Sequence, residues 1–173
     1  MKNCSPLLAL ILSSAVLAQT PAQTPSAPPV PPAAAARGPG IELALEAARG
    51  ALDDCSARGH KAAVSVVDSA GVLKALLAAD GASTRGVNSS TNKAVTAVTF
   101  NQASGALGEA IKLDKALADR VAANPGFNAR AGGVPLKVDG VTIGAIGVGG
   151  ARGSEVDEAC ALTGIAKVAA RLK

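Results

Sequence analysis

The chain has 173 residues and a formal net charge of +4; 49% of its residues are hydrophobic and only 1% are aromatic. This length suits one domain. The basic residues are spread along the chain without a run and without interleaved aromatics, which argues against nucleic-acid binding. There is no CxxC pair and no Cys–His metal spacing, so a structural zinc site is excluded.

The N-terminus has the pattern of a secretory signal peptide. Lys2 supplies a positive start, and the apolar run "LLALILSSAVLA" ends in small residues at Ala18. A bilayer span needs about twenty apolar residues, so this run is short for a membrane anchor, although an uncleaved anchor is the alternative. We expect residues 1–18 to be a signal peptide cut after Ala18. The mature protein would then be periplasmic or secreted, with no membrane span.

A proline- and alanine-rich segment, residues 19–40, follows the apolar run. Such a composition cannot bury a core and favours extended conformations. We interpret it as a disordered linker. The folded domain is therefore predicted over residues 41–173, which is long enough for a hydrophobic core.

The domain begins with a helix, because apolar residues recur at helical spacing from Ile41 to Cys55 and Gly59 follows as a stop. Residues 62–68 and 72–80 predict two strands of a hairpin. A polar loop is expected over residues 81–93.

Two helical segments follow, "KAVTAVTFNQ" and "ALGEAIKLDKALADRVAA", the second long enough to be broken. Two more strands, "VPLKV" and "VTIGAIGV", flank Asp139-Gly140, a strong hairpin signal. Ser154 is placed to cap a last helix, with Asp157 as a weaker capping partner. The order α-β-β-α-α-β-β-α indicates an α+β fold with an antiparallel sheet.

The last predicted strand carries Gly144 and Gly147 in its interior, where glycine usually marks a bulge or a close approach by a backbone or ligand. The stretch "GAIGVGGARG" partly resembles a dinucleotide fingerprint but lacks the βαβ context. Two other interpretations stay open. The glycines serve tight packing, or the loop forms an anion cradle at a helix N-terminus, with charge from Arg130 and Arg152.

Few residues in the chain suit chemistry. His60 is the only histidine and the only strong nitrogen ligand for a haem iron, although a lone histidine is most often solvated or hydrogen-bonded. Asp68 is expected to be a turn residue bonding its own backbone, with a general base or metal ligand as the alternative. Lys93, Thr96 and Thr99 share one side of a helix, which predicts a solvated or interface face.

The mature chain keeps two cysteines, Cys55 and Cys160, both on apolar faces of predicted helices. An exported protein lives where disulfides persist. The two residues form a disulfide if their helices pack together; otherwise they are buried thiols.

Four stretches in order give the chain its resemblance to a known family: "VSVVDSAGVL", "TNKAVTAVTF", "GGVPLKVDGVTIGAIGVGG" and "DEACALTGI". They resemble the GlcG/HbpS haem-binding family, also called the haem-degrading domain family, over nearly all of residues 41–173. The resemblance implies a sheet of about five antiparallel strands flanked by helices. It also implies homo-oligomers, from dimers to octamers, and haem or tetrapyrrole binding in some members.

The resemblance implies an exported, oligomeric haem-binding protein that acts as a carrier, buffer or accessory sensor. It offers His60 or Ser104 as the ligand of the haem iron. The candidate contacts for the haem propionates are Arg130, Arg152 and the Gly149-Gly150 loop.

Two alternatives remain. The first is an enzyme or enzyme accessory for small 2-hydroxy carboxylic acids, in which Asp68 and Lys93 are the residues to test. The second is a structural oligomer without a ligand. No catalytic residues are assigned, so an enzymatic role stays open.

Overall fold

A computed structural model of the chain describes residues 35–173, which lie in one compact unit. The predicted signal peptide and most of the predicted linker lie outside the described residues. The helices are α1 (Ile41–Ala57), α2 (Thr84–Phe100), α3 (Ser104–Ala110), α4 (Lys115–Ala122) and α5 (Ser154–Val168). The strands are β1 (Ala63–Asp68), β2 (Leu73–Ala78), β3 (Gly133–Val138) and β4 (Val141–Gly149), and a short 3-10 helix, Ala169–Arg171, follows α5.

The four strands form one antiparallel sheet in the order β2-β1-β4-β3. The α+β class predicted from the sequence is confirmed. The sheet has four strands among the described residues, so the expectation of about five was wrong. The residue pattern predicted four strands, because each strand is a short apolar run bounded by turn residues.

One face of the sheet is covered by α1 and α5, and this layer holds the main hydrophobic core. Val64 and Val66 of β1 and Ile146 and Val148 of β4 point into it and are fully buried. The helices contribute mostly small residues, among them Ala44, Ala47, Ala48 and Ala51. Small side chains let α1 and α5 approach each other and the sheet closely.

A disulfide joins the two helices of this layer. Cys55 of α1 and Cys160 of α5 are bonded, with their Cα atoms 5.6 Å apart. Both residues are fully buried. The sequence left open a disulfide or two buried thiols, and the structure contains the disulfide.

The opposite face of the sheet is covered by α2, and glycine makes the close contact possible. A Cβ atom placed on Gly147 would lie 2.1 Å from the carbonyl oxygen of Ser90, so no larger residue fits without moving the helix. The helix backbone rests directly on β4. The glycine-rich strand is thus an element of tight packing within one chain.

Helix α2 begins at Thr84, well before the predicted start at residue 93, so the expected polar loop over residues 81–93 was wrong. The Ser83 side chain accepts a hydrogen bond from the Gly86 N–H and caps the helix. The polar residues of this segment are helical because they have partners on the sheet. The Ser65 hydroxyl of β1 lies 2.8 Å from that of Ser90 and 2.9 Å from that of Thr91.

Within residues 35–173, no helix is long and apolar enough to cross a membrane.

Candidate functional site

A polar cleft of about 740 Å³ opens where β4 ends and α5 begins. Its walls come from the first half of α2, the segment leading into β3, and the loop between β4 and α5. The residues that line this polar cleft include Arg85, Asn88, Asn92, Lys93, Asn128, Arg130, Gly150, Ala151, Ser154 and Asp157. These elements are far apart in sequence, and the sheet brings them together.

A buried ion pair joins two walls of this polar cleft. The Lys93 Nζ of α2 donates to the Asp157 Oδ2 of α5 at 2.7 Å and to the Val148 carbonyl at 3.0 Å. The two side chains are only 2% and 5% exposed. Burial lowers the pKa of the Lys93 ammonium from its ordinary value of 10.5, while the hydrogen bond and the charge of Asp157 oppose that shift.

The loop between β4 and α5 is held by the carboxylate of Asp157. The Asp157 Oδ1 accepts a hydrogen bond from the Ala151 N–H at 3.0 Å, so Asp157 links the loop to Lys93. The Ser154 side chain does not cap α5, contrary to the sequence prediction. The cap residue is Gly153, and the Ser154 hydroxyl accepts a hydrogen bond from the Arg130 Nε at 3.1 Å.

The polar cleft is rich in cations and contains hardly any apolar side chain. Arg85 and Arg130 are exposed, and neither forms an ion pair with a carboxylate in the described part of the chain. Ala151 is the only hydrophobic residue among the lining residues. The cleft therefore suits a hydrophilic anion rather than the flat apolar face of a porphyrin.

A second cleft, the histidine cleft, has a volume of about 490 Å³ and is lined in part by His60. It lies between the C-terminal end of α1 and the end of β2. The His60 side chain is half-buried and forms no hydrogen bond or ion pair with any residue in the range 35–173. Arg49 and Lys61 provide positive charge in this cleft, while Leu52, Ala78 and Ala79 provide apolar surface.

The predicted ligand-binding residues fall into different places. Arg130 and Gly150 line the polar cleft, and His60 lines the histidine cleft. Gly149 is buried beneath α2, where an added Cβ would lie 2.6 Å from the Gly86 carbonyl oxygen. Arg152 is exposed and lines neither cleft. The structure therefore places His60 in a different cleft from Arg130 and Gly150, although a Cβ added to Gly150 would lie 3.0 Å from the carbonyl oxygen of Lys61, the residue next to His60.

Ser104 is placed in a structural position. Its side chain is fully buried, and its hydroxyl donates to the Arg130 carbonyl at 2.6 Å and accepts from the Gly133 N–H at 2.8 Å. The hydroxyl thus fastens the start of α3 to the start of β3. These two hydrogen bonds favour a packing role over an exposed ligand position.

Two further expectations have clear outcomes. Asp68 is a turn residue, as predicted, because its Oδ1 accepts hydrogen bonds from the N–H groups of Ala70 and Val72. The solvated or interface face predicted for α2 was wrong for Lys93 and Thr96, which are buried within the chain, and right for Thr99, which is exposed. The three-residue spacing shows that these side chains share one side of the helix, but it does not show whether another element covers that side.

Sequence reasoning missed the role of Asp157. Its position near the start of a helix suggested capping, whereas the structure pairs it with Lys93, 64 residues earlier. One signal in the sequence could have indicated this pair. Lys93 stands beside the small apolar residues of a helix that packs on the sheet, a position where its side chain is expected to be buried. A lysine at such a position needs an anionic partner.

Comparison with known proteins identifies the relatives of this fold. A sequence model described as "Haem degrading protein HbpS-like" matches residues 40–166. No curated protein matches the sequence significantly.

Several solved structures are similar to this chain in sequence and fold. A double mutant of HbpS from Streptomyces reticuli is 32% identical, with 88% of this chain and 99% of that chain covered and a TM-score of 0.71. A structure of HbpS is 31% identical, with 82% and 97% covered and a TM-score of 0.71. PduOC in complex with haem is 24% identical, with 75% and 94% covered and a TM-score of 0.70, a likeness that shows the fold alone.

Proposed function

The chain belongs to the HbpS-like family of haem-degrading proteins. We propose that it is an exported, oligomeric haem-binding protein that acts as a carrier, buffer or accessory sensor. Family membership over most of the domain is the observation that carries the proposal.

The histidine cleft is the proposed place for haem. Imidazole is a common ligand of haem iron, and His60 is the only imidazole in the chain. Its ring is free of other hydrogen bonds within residues 35–173, so it is available as a ligand. The polar cleft is the poorer candidate, because Ala151 is the only hydrophobic residue in its lining and no large apolar side chain is available to contact a porphyrin.

The other residues of the histidine cleft fit the remaining parts of the haem molecule. Arg49 and Lys61 would hold the propionates through charge-assisted hydrogen bonds. Leu52, Ala78 and Ala79 would contact the ring. The bound haem would supply a redox-active iron and a strong visible chromophore. Asp53 and Asp80 also line this cleft, and their charges would disfavour propionates placed beside them.

The oligomer is proposed to form through β2, an outer strand of the sheet. Leu73 and Leu76 lie opposite Val67 and Ser65 of β1, on the side of the sheet where α2 packs. They are 46% and 37% exposed, so α2 does not cover them. An outer strand with apolar side chains invites pairing with another strand. We take the partner to be a second copy of the chain, since such interfaces are usually self-complementary.

The disulfide supports export. Cys55 and Cys160 are bonded in the interior, and disulfides persist mainly in oxidising compartments. This feature and the predicted signal peptide support the proposal of a periplasmic or secreted location.

Haem titration of residues 19–173, followed at the Soret band, tests the proposal. A saturable shift with about one haem per chain is expected. A spectrum equal to the sum of free haem and protein would refute haem binding.

A further inference from the structure

We propose that the polar cleft is a second ligand site, separate from the histidine cleft, and that it binds a compact oxyanion, a small carboxylate or a phosphate. This inference does not depend on haem binding. It rests on the charges, hydrogen-bond donors and shape of the cleft itself.

The first support is an excess of positive charge. Arg85, Lys93 and Arg130 line the cleft, and Asp157 is the only carboxylate among the lining residues. Asp157 is already engaged by Lys93 and by the Ala151 N–H. The guanidinium groups of Arg85 and Arg130 have no carboxylate partner within residues 35–173. Arginine presents a planar fork of donors that matches a carboxylate or a phosphate.

The second support is the Lys93 ammonium, which is buried at the cleft wall. An ammonium carries three N–H donors. The contacts to Val148 and Asp157 use two of them. A bound anion next to Lys93 would accept the third and add a second negative charge beside a cation that has lost most of its water. Charges interact more strongly there than at an exposed surface.

The third support is the N-terminus of α5, a helix of fifteen residues that starts at the cleft. No side chain caps it, so the N–H groups of its first turn are left for another acceptor. Helix N-termini favour anions. The Ser154 hydroxyl and the Arg130 guanidinium are already joined beside this N-terminus.

The remaining lining residues define the ligand further. Asn88 is exposed, and its side chain forms no hydrogen bond within the described region, so its amide is free to bind a hydroxyl or carbonyl group. Asn92 of α2 and Asn128, in the segment leading into β3, also line the cleft. With Ala151 as the only hydrophobic lining residue, the cleft favours a hydrophilic anion such as a hydroxy acid over a fatty acid.

A titration of the haem-free, ¹⁵N-labelled protein with inorganic phosphate, lactate and malate tests the proposal, with sodium chloride at matched ionic strength as the reference. We expect saturable shifts of the amide signals of residues 150–156. The signals of Arg49, Asp53 and Ser56, on the α1 side of the histidine cleft, should move little. Tighter saturation by phosphate or by a carboxylate identifies which oxyanion is preferred. If none of the three saturates, or if chloride gives the same shifts, the proposal is overturned.

The matched variants are R130Q and R58Q. Both change an exposed arginine, but Arg130 lines the cleft while Arg58, at the end of α1, lines neither cleft, so both should fold while only R130Q should lose affinity. We expect binding at least tenfold weaker in R130Q and nearly unchanged in R58Q. Equal loss in the two variants would indicate a diffuse charge effect and would overturn the site. Because no haem is present, failure here leaves the haem proposal untouched.

Discussion

The Lys93 Nζ and the Asp157 Oδ2 lie 2.7 Å apart, and almost all of both side chains is removed from solvent. The pair joins α2, on one face of the sheet, to α5, on the other, at the end of β4. Through the Ala151 N–H it also fixes the loop that precedes α5. One ion pair therefore sets the relative positions of three elements around the polar cleft.

Breaking this ion pair from one side should destabilise the protein strongly. K93M leaves a buried carboxylate without its cation, and the expected loss is about 3–5 kcal/mol in the free energy of unfolding. Replacing both partners, as in K93M/D157L, should cost clearly less than the sum of the single changes, because no isolated charge remains. Urea unfolding of the four proteins of this double-mutant cycle measures the coupling.

The matched control for the ion pair is K115M, which breaks the exposed pair with Asp119 on α4. Exposed pairs contribute little, so its unfolding midpoint should hardly move. Equal, small losses in K93M and K115M would contradict the role given to the buried pair.

The stability of the folded state should depend on pH through Lys93. Burial lowers the pKa of its ammonium below the ordinary 10.5, so between the two values the unfolded chain binds more protons than the folded one. Stability then rises with pH across that window, and at lower pH this group adds no pH dependence because it is protonated in both states. We expect the stability difference between the parent protein and K93M to grow in favour of the parent as pH approaches 10.5. A difference that shrinks would show a raised pKa instead.

Gly147 should not tolerate a side chain. In G147A the added Cβ would lie 2.1 Å from the Ser90 carbonyl oxygen, which belongs to the α2 backbone and cannot turn away. Strained packing of this kind typically costs about 1–3 kcal/mol. G40A is the control, because a Cβ at Gly40 meets nothing within 4 Å. Thermal unfolding should show a clear loss for G147A and a small one for G40A. Similar melting temperatures for both would mean that α2 does not rest on β4.

Charges on β2 should weaken self-association. In L73K/L76K two exposed leucines of the outer strand become cations, so a second copy that pairs along β2 would meet repulsion and lose apolar contact. Light scattering should show smaller assemblies for this variant. The control is L113K, because Leu113 is 93% exposed and lies away from the sheet. An unchanged assembly in L73K/L76K would place the interface elsewhere.

Local features of the fold were predictable from the sequence because their causes are local. Asp139 and Gly140 both have positive φ, 49° and 78°, as the tight hairpin turn requires. The predicted break in the second helical segment is present, and the Asp114 side chain caps the helix after it by accepting from the Leu117 N–H. Short apolar runs between turn residues indicated the correct number of strands, four.

The two clefts were not predictable, because no local pattern encodes them. The polar cleft needs α2, the segment around Arg130 and the start of α5 to meet, and their contacts span up to 64 residues. The same limit separated His60 from Arg130 and Gly150, which the sequence had placed in one hypothetical site. The glycines of β4 were a usable signal, but only the structure shows that a helix of the same chain is what approaches them.

The most direct test of the central claim is a haem titration of the parent protein beside H60A and R152Q. The histidine cleft predicts a saturable Soret shift in the parent, kept in R152Q, and lost or moved to a weaker, high-spin spectrum in H60A. Binding that is equally tight, with the same spectrum, in H60A would contradict ligation by His60. The iron ligand would then have to be Ser104 or a residue at an interface between chains. Absence of a shift in all three would contradict haem binding itself.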